Sequence, residues 1–98
     1  MSAYVIADIE VTDPAIYDEY RKQVPATIAK YGGRFLVRGG KHTVLEGTMQ
    51  VHRLVTLEFP SMEALERWYN SSEYAPLIEL RQRGSRGTLV AVEGAAPS

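Results

Sequence analysis

The sequence contains no cysteine, and this absence removes several functions at once. Disulfides, thiolate metal sites and a cysteine nucleophile are all excluded. An excess of charge of one sign is also missing, because 11 basic and 12 acidic side chains give a net charge of -1. We therefore expect no surface for nucleic acid or for an anionic membrane.

Long apolar runs are absent as well. No segment approaches the roughly 18 consecutive apolar residues that a membrane-spanning helix requires. Residues 1–4 lead directly into a strand pattern without a basic segment, so the sequence predicts no signal peptide and a cytoplasmic location. The length of 98 residues predicts one domain, with a frayed tail at residues 94–98.

Two segments show the alternation of a strand that is buried on one face. In residues 3–11 every odd position is apolar, and in residues 51–59 every odd position except Arg53 is apolar. The opposite face of the two strands combines apolar and polar side chains. We call it the mixed face, and its members are Tyr4, Ile6, Asp8, Leu54, Thr56 and Glu58.

The chain between these strands is organised around residues 31–40. A helix capped by Asp13 or Thr12, with Pro14 at its first position, is predicted to run into Gly32 or Gly33, with a kink before Pro25. Its buried face is predicted to consist of Tyr17, Tyr20, Val24, Thr27, Ile28 and Tyr31. A strand is predicted over residues 34–38, then a bulge or bend at Gly39-Gly40, and a resumed strand over residues 42–46.

The last third of the chain predicts a helix that begins at Ser61 and a second helical stretch beyond residues 70–72. A loop over residues 84–87 and a strand over residues 88–93 follow. Arg81 and Arg83 are expected to be solvated or to complement the negative end of their helix.

The element order predicts an α+β, ferredoxin-like β-α-β-β-α-β fold, a four-stranded antiparallel sheet with two helices on one face. The mixed face is then left uncovered. Because it is too apolar for plain surface, we expect a second copy of the chain to cover it, giving a homodimeric α/β barrel with a cleft.

The sequence resembles the domain-of-unknown-function 1330 family of the dimeric α/β-barrel superfamily. The segments that carry the resemblance span residues 31–40, 45–47, 57–61, 68–74 and 92–94, together with Arg53. The resemblance implies the same fold and dimer, and no defined activity. The wider superfamily includes cofactor-free monooxygenases, isomerases and haem-binding proteins, so the fold alone does not fix a function.

Five residues are candidates for lining a cleft between the sheet and the second helix: Arg38, Arg53, Glu58, Trp68 and Tyr69. Arg38, beside a glycine pair, suits a carboxylate or phosphate, and the tyrosines and Trp68 suit a flat ligand. Asp8 and Glu58 would act as general bases if burial raised their pKa values. The function predicted from them is binding of a small organic metabolite, with a cofactor-free oxygenase or isomerase as its enzymatic form.

Two alternatives stay open. All of these side chains suit a non-catalytic dimeric module in which the aromatic residues form the core and the charges form ion pairs. Haem binding through His42 or His52, the only histidines, is the second alternative. Apart from haem, no cofactor and no metal site is predicted, because no cluster of acidic residues or histidines has a ligand spacing.

Overall fold

A computed structural model describes residues 1–95 and shows a four-stranded antiparallel sheet with helices on one face. The elements follow in the order β1 (Ala3–Val11), α1 (Pro14–Lys30), β2 (Arg34–Arg38), β3 (Leu54–Phe59), α2 (Met62–Tyr69), α3 (Ala75–Gly84) and β4 (Ser85–Glu93). The strands lie in the order β2-β3-β1-β4. This architecture confirms the predicted ferredoxin-like fold class.

The second helical region consists of two helices, α2 and α3, and the break between them includes the predicted interruption at residues 70–72. The sheet therefore carries three helices, one more than the simple ferredoxin-like pattern predicts. Asn70 ends α2, and its side-chain amide donates to the carbonyl oxygen of Glu66 at 2.9 Å. The hydroxyl of Ser71 then accepts a hydrogen bond from the amide of Tyr74 at 3.1 Å, which closes a turn before α3. Local hydrogen bonds of asparagine and serine therefore separate the two helices.

Helix α1 begins and ends as predicted. The carboxylate of Asp13 accepts a hydrogen bond from the amide of Ile16 at 3.3 Å, and Pro14 occupies the first turn. Gly32, just beyond the helix, has a φ of 80°, a conformation that favours glycine. Pro25 lies inside an uninterrupted helix.

The sheet register fixes which residues share a face. Ile6 on β1 lies beside Thr56 on β3 and Val90 on β4, and all three belong to the face that the helices leave uncovered. Ile6 is 46% exposed and Val90 is 52% exposed. The mixed face is thus uncovered in the single chain, as the sequence predicts.

Three boundaries differ from the sequence predictions. The register of β2 shifts between Phe35 and Val37, so the bulge precedes the glycine pair. Residues 39–53 contain no strand, which makes the predicted strand at 42–46 wrong and shortens β3 at its start. Strand β4 begins directly at Ser85, without the predicted loop, because Ser85 to Gly87 pair with Val11 to Ile9 of β1.

The core lies between the helices and the sheet. The ring of Trp68 packs on Tyr74 at a centroid distance of 4.1 Å and on Phe59 at 5.2 Å. At the end of the sheet, the amide of Gly94 donates to the carbonyl oxygen of Ser2 at 2.8 Å. The predicted tail therefore begins beyond a paired residue, and its last three positions, 96–98, lie outside the described residues.

Candidate functional site

A pocket of about 240 Å³ lies between α2 and the helix-facing side of β1 and β4. We call it the outer pocket, and its lining consists of Val5, Leu65, Glu66, Tyr69, Asn70, Leu89, Val90 and Ala91. Ala91 faces the helices through its pairing with Val5, yet it is exposed.

A second, much smaller cavity of about 30 Å³ lies deeper, between the sheet and helices α1 and α3. We call it the inner cavity. Its polar lining consists of the side chains of Tyr17, Tyr20, Trp68, Tyr74 and Arg81, and the rest is apolar. Val5 and Leu89 line both the inner cavity and the outer pocket, so the two spaces share one wall.

Two tyrosine hydroxyls meet at the inner cavity. The Oη atoms of Tyr20 and Tyr74 are 2.8 Å apart, and both side chains are buried. Burial raises the pKa of Tyr20, and the neighbouring Tyr74 adds to the increase. Burial likewise raises the pKa of Tyr74, although its hydrogen bonds with Tyr20 and Arg81 and the charge of Arg81 oppose the increase. Both phenols therefore stay protonated near neutral pH.

Arg81 of α3 is the charged residue at this cluster. It is 7% exposed, which makes the predicted solvated position wrong, whereas its place in the last turn of α3 agrees with the other predicted role, at the negative end of the helix. The reason for its burial is its place on the helix: it follows Leu77 by one turn and Tyr74 by two, and all three lie on the buried stripe. Among residues 1–95, no carboxylate lies within 4 Å of its guanidinium, and its buried Nε has no hydrogen-bond partner.

Trp68 and Tyr69 are the two sequence-predicted site residues that line these spaces. Tyr69 is 39% exposed and lines the outer pocket. Trp68 is 1% exposed and contacts only the inner cavity, and its Nε1 donates to the hydroxyl of Thr27 at 3.0 Å. Trp68 therefore belongs to the hydrophobic core, and replacing it with a small residue would destabilise the fold.

The other three predicted residues line neither space. Arg38 turns to the helix side of the sheet, stacks on the ring of Phe35 at 4.3 Å and donates to the carbonyl oxygen of Arg21 at 3.1 Å. Arg53 lies beside Gly39, with its guanidinium carbon 5.9 Å from the ring centre of Tyr17. Both arginines therefore contact other residues of the protein, not the lining of either space.

Glu58 lies on the mixed face, where Arg34 donates to it at 2.7 Å and the hydroxyl of Tyr4 donates at 3.1 Å. The hydrogen bond from Arg34 lowers the pKa of Glu58 below its ordinary value. Burial raises the pKa of Asp8, but hydrogen bonds from the side chain and the amide of His52 outweigh it and give a net decrease. Both carboxylates thus have lowered pKa values, whereas a general base that works near neutral pH requires a raised one.

The histidines do not form a pair on neighbouring strands. His42 and His52 lie in the strand-free segment 39–53, and the Nδ1 of His52 is 3.1 Å from the carboxylate of Asp8. Neither histidine lines the outer pocket or the inner cavity. In the described part of the chain, no group of three or more histidine and acidic side chains is arranged to hold a metal ion.

The family model described as Domain of unknown function (DUF1330) matches residues 2–95. The chain belongs to this family. No curated protein matches the sequence. Within residues 1–95 of this DUF1330 chain, no helix combines the length and apolarity needed to cross a membrane.

Solved structures share the fold at low sequence identity. A protein of unknown function from Rhodopseudomonas palustris has a TM-score of 0.77 at 15% identity, over 98% of this chain and 84% of its own. SnoaB, a cofactor-independent oxygenase from Streptomyces nogalater, has a TM-score of 0.66 at 15% identity, over 98% of this chain and 95% of its own. At these identities the likeness shows the fold alone.

Sequence reasoning missed the most unusual polar group of this DUF1330 protein, the buried Arg81. The signal was present in the helical spacing of Tyr74, Leu77 and Arg81, which places the arginine on an otherwise buried stripe. No local sequence pattern indicates the outer pocket, because its lining residues come from β1, α2 and β4, which are far apart in the sequence.

Proposed function

We propose that the protein is a homodimer that binds a small organic metabolite in the outer pocket. The observation that carries the proposal is the pocket itself, which is concave, mostly apolar and bordered by a few polar groups from Glu66, Tyr69 and Asn70. Binding sites for small molecules have this composition. Its volume of about 240 Å³ lies below the roughly 300 Å³ at which typical ligand pockets begin, so the ligand is small.

The uncovered mixed face supports the proposed homodimer. Ile6, Val90 and Val92 are between 41% and 52% exposed, and they lie on neighbouring strands of one continuous surface. A chain of 98 residues buries only about 60–65% of its surface on folding, so covering this face would add to a thin core. A second copy of the same face is self-complementary around a two-fold axis.

Native mass spectrometry of gently purified protein tests both parts. The expected result is a dimer that retains an organic molecule of reproducible mass. Ala91→Trp fills the outer pocket from its exposed rim and should release that molecule, whereas Glu93→Trp, one pair of residues farther along the same face of β4, should retain it. Retention by the Ala91→Trp protein, or no retained molecule in any preparation, would contradict the binding proposal.

The dimer has a separate control. Ile6→Lys places a charge on the mixed face, at a residue that does not line the outer pocket, and should give a monomer with an unchanged circular dichroism spectrum. A parent protein that is monomeric at micromolar concentration would contradict the dimer. It would favour the alternative in which the fold is a non-catalytic module with another partner.

The enzymatic form of the proposal is a cofactor-free oxygenase, and the fold shared with SnoaB is its support. Such an enzyme draws electrons from its own substrate and needs a base that removes a proton from it. Glu66 is the carboxylate that lines the outer pocket. Protein-dependent oxygen uptake with the retained molecule, lost in Glu66→Gln while the molecule is still bound, is the expected result. Absence of oxygen uptake would leave binding as the function.

A further inference from the structure

The inner cavity holds more hydrogen-bond donors than acceptors. The Nε of Arg81 is buried without a partner, and no carboxylate of residues 1–95 lies within 4 Å of this guanidinium. Burying a charge without a counter-ion is strongly unfavourable. A site of this kind is stabilised when an anion from outside the chain supplies the missing acceptor.

The tyrosine pair adds a further donor. In the 2.8 Å contact between Tyr20 and Tyr74, one hydroxyl donates and the other accepts. The accepting hydroxyl still carries its own proton. Because burial raises the pKa of both phenols, neither one provides a negative charge for Arg81 near neutral pH. The cluster therefore presents a guanidinium and a hydroxyl to the same small space.

The volume of the inner cavity and its position beside the outer pocket suit the polar end of a ligand whose body lies in the outer pocket. The inner cavity measures about 30 Å³, and a cavity needs roughly 10–15 Å³ for each water-sized group, so it has room for about two such groups. A carboxylate has two oxygens, and its planar geometry matches the guanidinium fork. Val5 and Leu89 line both the inner cavity and the outer pocket, so the two spaces meet at these apolar side chains.

We propose that the ligand is a small carboxylate with a flat apolar body. Its body occupies the outer pocket beside Tyr69, and its carboxylate passes Val5 and Leu89 to bind Arg81 and the free hydroxyl of the Tyr20–Tyr74 pair. This inference rests on the proposed function and specifies the chemical class of the same ligand.

The test compares 2-naphthoate with its neutral counterpart 2-naphthamide on the purified dimer, by calorimetric titration and thermal shift. The parent should bind naphthoate at least about tenfold more tightly, because hydrogen bonds to charged groups are worth more than neutral ones. Arg81→Met should reduce naphthoate affinity by at least about tenfold while the ligand-free protein melts no lower than the parent. Arg83→Met, on the exposed side of the same helix, should leave binding unchanged.

Tyr74→Phe is the second variant, since it removes a hydroxyl without removing core volume. It should weaken naphthoate binding by roughly two- to tenfold, as expected for one neutral hydrogen bond. A markedly lower melting temperature of ligand-free Arg81→Met would show that the arginine is structural and would overturn the proposal. Unchanged naphthoate affinity in both variants would overturn it as well.

The failure of this inference is distinguishable from failure of the proposed function. Equal binding of the two probes, abolished in both cases by Ala91→Trp, would overturn the carboxylate assignment and leave the pocket function intact. Binding of neither probe by the parent would also overturn the assignment. The retained molecule seen by native mass spectrometry then decides the pocket function by itself.

Discussion

The guanidinium of Arg38 donates a 3.1 Å hydrogen bond to the carbonyl oxygen of Arg21, the acceptor that Pro25 leaves without its helical amide. Proline has no N–H and therefore cannot bond to the carbonyl four residues before it. Arg38 of β2 supplies the missing donor and thereby links the edge strand to α1. The residue that the sequence offers as a ligand-binding arginine thus has a structural role.

This relationship predicts a measurable coupling. Arg38→Met should lower the free energy of unfolding by about 1 kcal/mol, the usual net value of one hydrogen bond. In a Pro25→Ala background the amide of residue 25 satisfies the same carbonyl, so the cost of Arg38→Met should fall toward zero. Urea denaturation of the four proteins in this double-mutant cycle gives the coupling. Equal costs in the two backgrounds would mean that Arg38 acts elsewhere.

The contact between Trp68 and Thr27 gives a second prediction. Thr27→Val keeps the shape of the side chain but removes the acceptor of the Trp68 Nε1 hydrogen bond. A buried donor left unsatisfied costs about 1–3 kcal/mol, so the melting temperature should fall clearly. Thr27→Ser restores the hydroxyl and should recover most of the loss. Thr43→Val, at an exposed position, is the matched control and should have little effect.

Glu73 provides a pH-dependent prediction. Hydrogen bonds from Lys30 and from the hydroxyl of Tyr31 lower its pKa from 4.5 to about 2. A carboxylate with a lowered pKa stabilises the fold above its unfolded value, and this contribution disappears as the pH falls through the folded value. The stability difference between the parent and Glu73→Gln should therefore be full above about pH 4.5 and vanish near pH 2. A difference that stays constant across this interval would contradict the assignment.

Gly87 should be intolerant of any side chain. A Cβ at this position would lie 3.1 Å from the Cα of Ile9 and closer still to the carbonyl oxygen of Asp8, both backbone atoms of the paired strand. Gly87→Ala should destabilise the protein by about 1–3 kcal/mol, the range of overpacking. Gly40→Ala is the control, because a Cβ there meets nothing within 4 Å. Chemical denaturation of both variants would reveal a difference, and equal stabilities would contradict the close approach of β1 and β4.

Local sequence patterns were sufficient to predict much of the fold. The alternation in residues 3–11 matches β1, and Asp13 and Ser61 cap the helices that they are predicted to cap. These features depend on neighbouring residues, since caps and strand faces arise within a few positions along the chain. They predict the fold class because few arrangements of the elements bury all of the apolar faces.

Features set by distant residues could not be predicted in this way. Ser85 and Arg86 do not look like a strand, yet they pair with β1, and Arg86 forms an ion pair with Glu10 at 3.0 Å. Val44 and Leu45 look like a strand but have no partner and are exposed. The burial of Arg81 likewise depends on α1 and the sheet, which cover one side of α3.

The central position of β1 has a consequence for biosynthesis. Both neighbours of β1 come later in the chain, and its register with β4 joins Ala3 to Glu93. When the first strand leaves the ribosome, its apolar positions therefore have no partner until most of the chain has been made. Pairings between residues so far apart also fold slowly, since the loop must close before the contacts form. During that interval the nascent chain exposes an unpaired apolar strand, which is the form most easily captured by a chaperone or by another nascent copy.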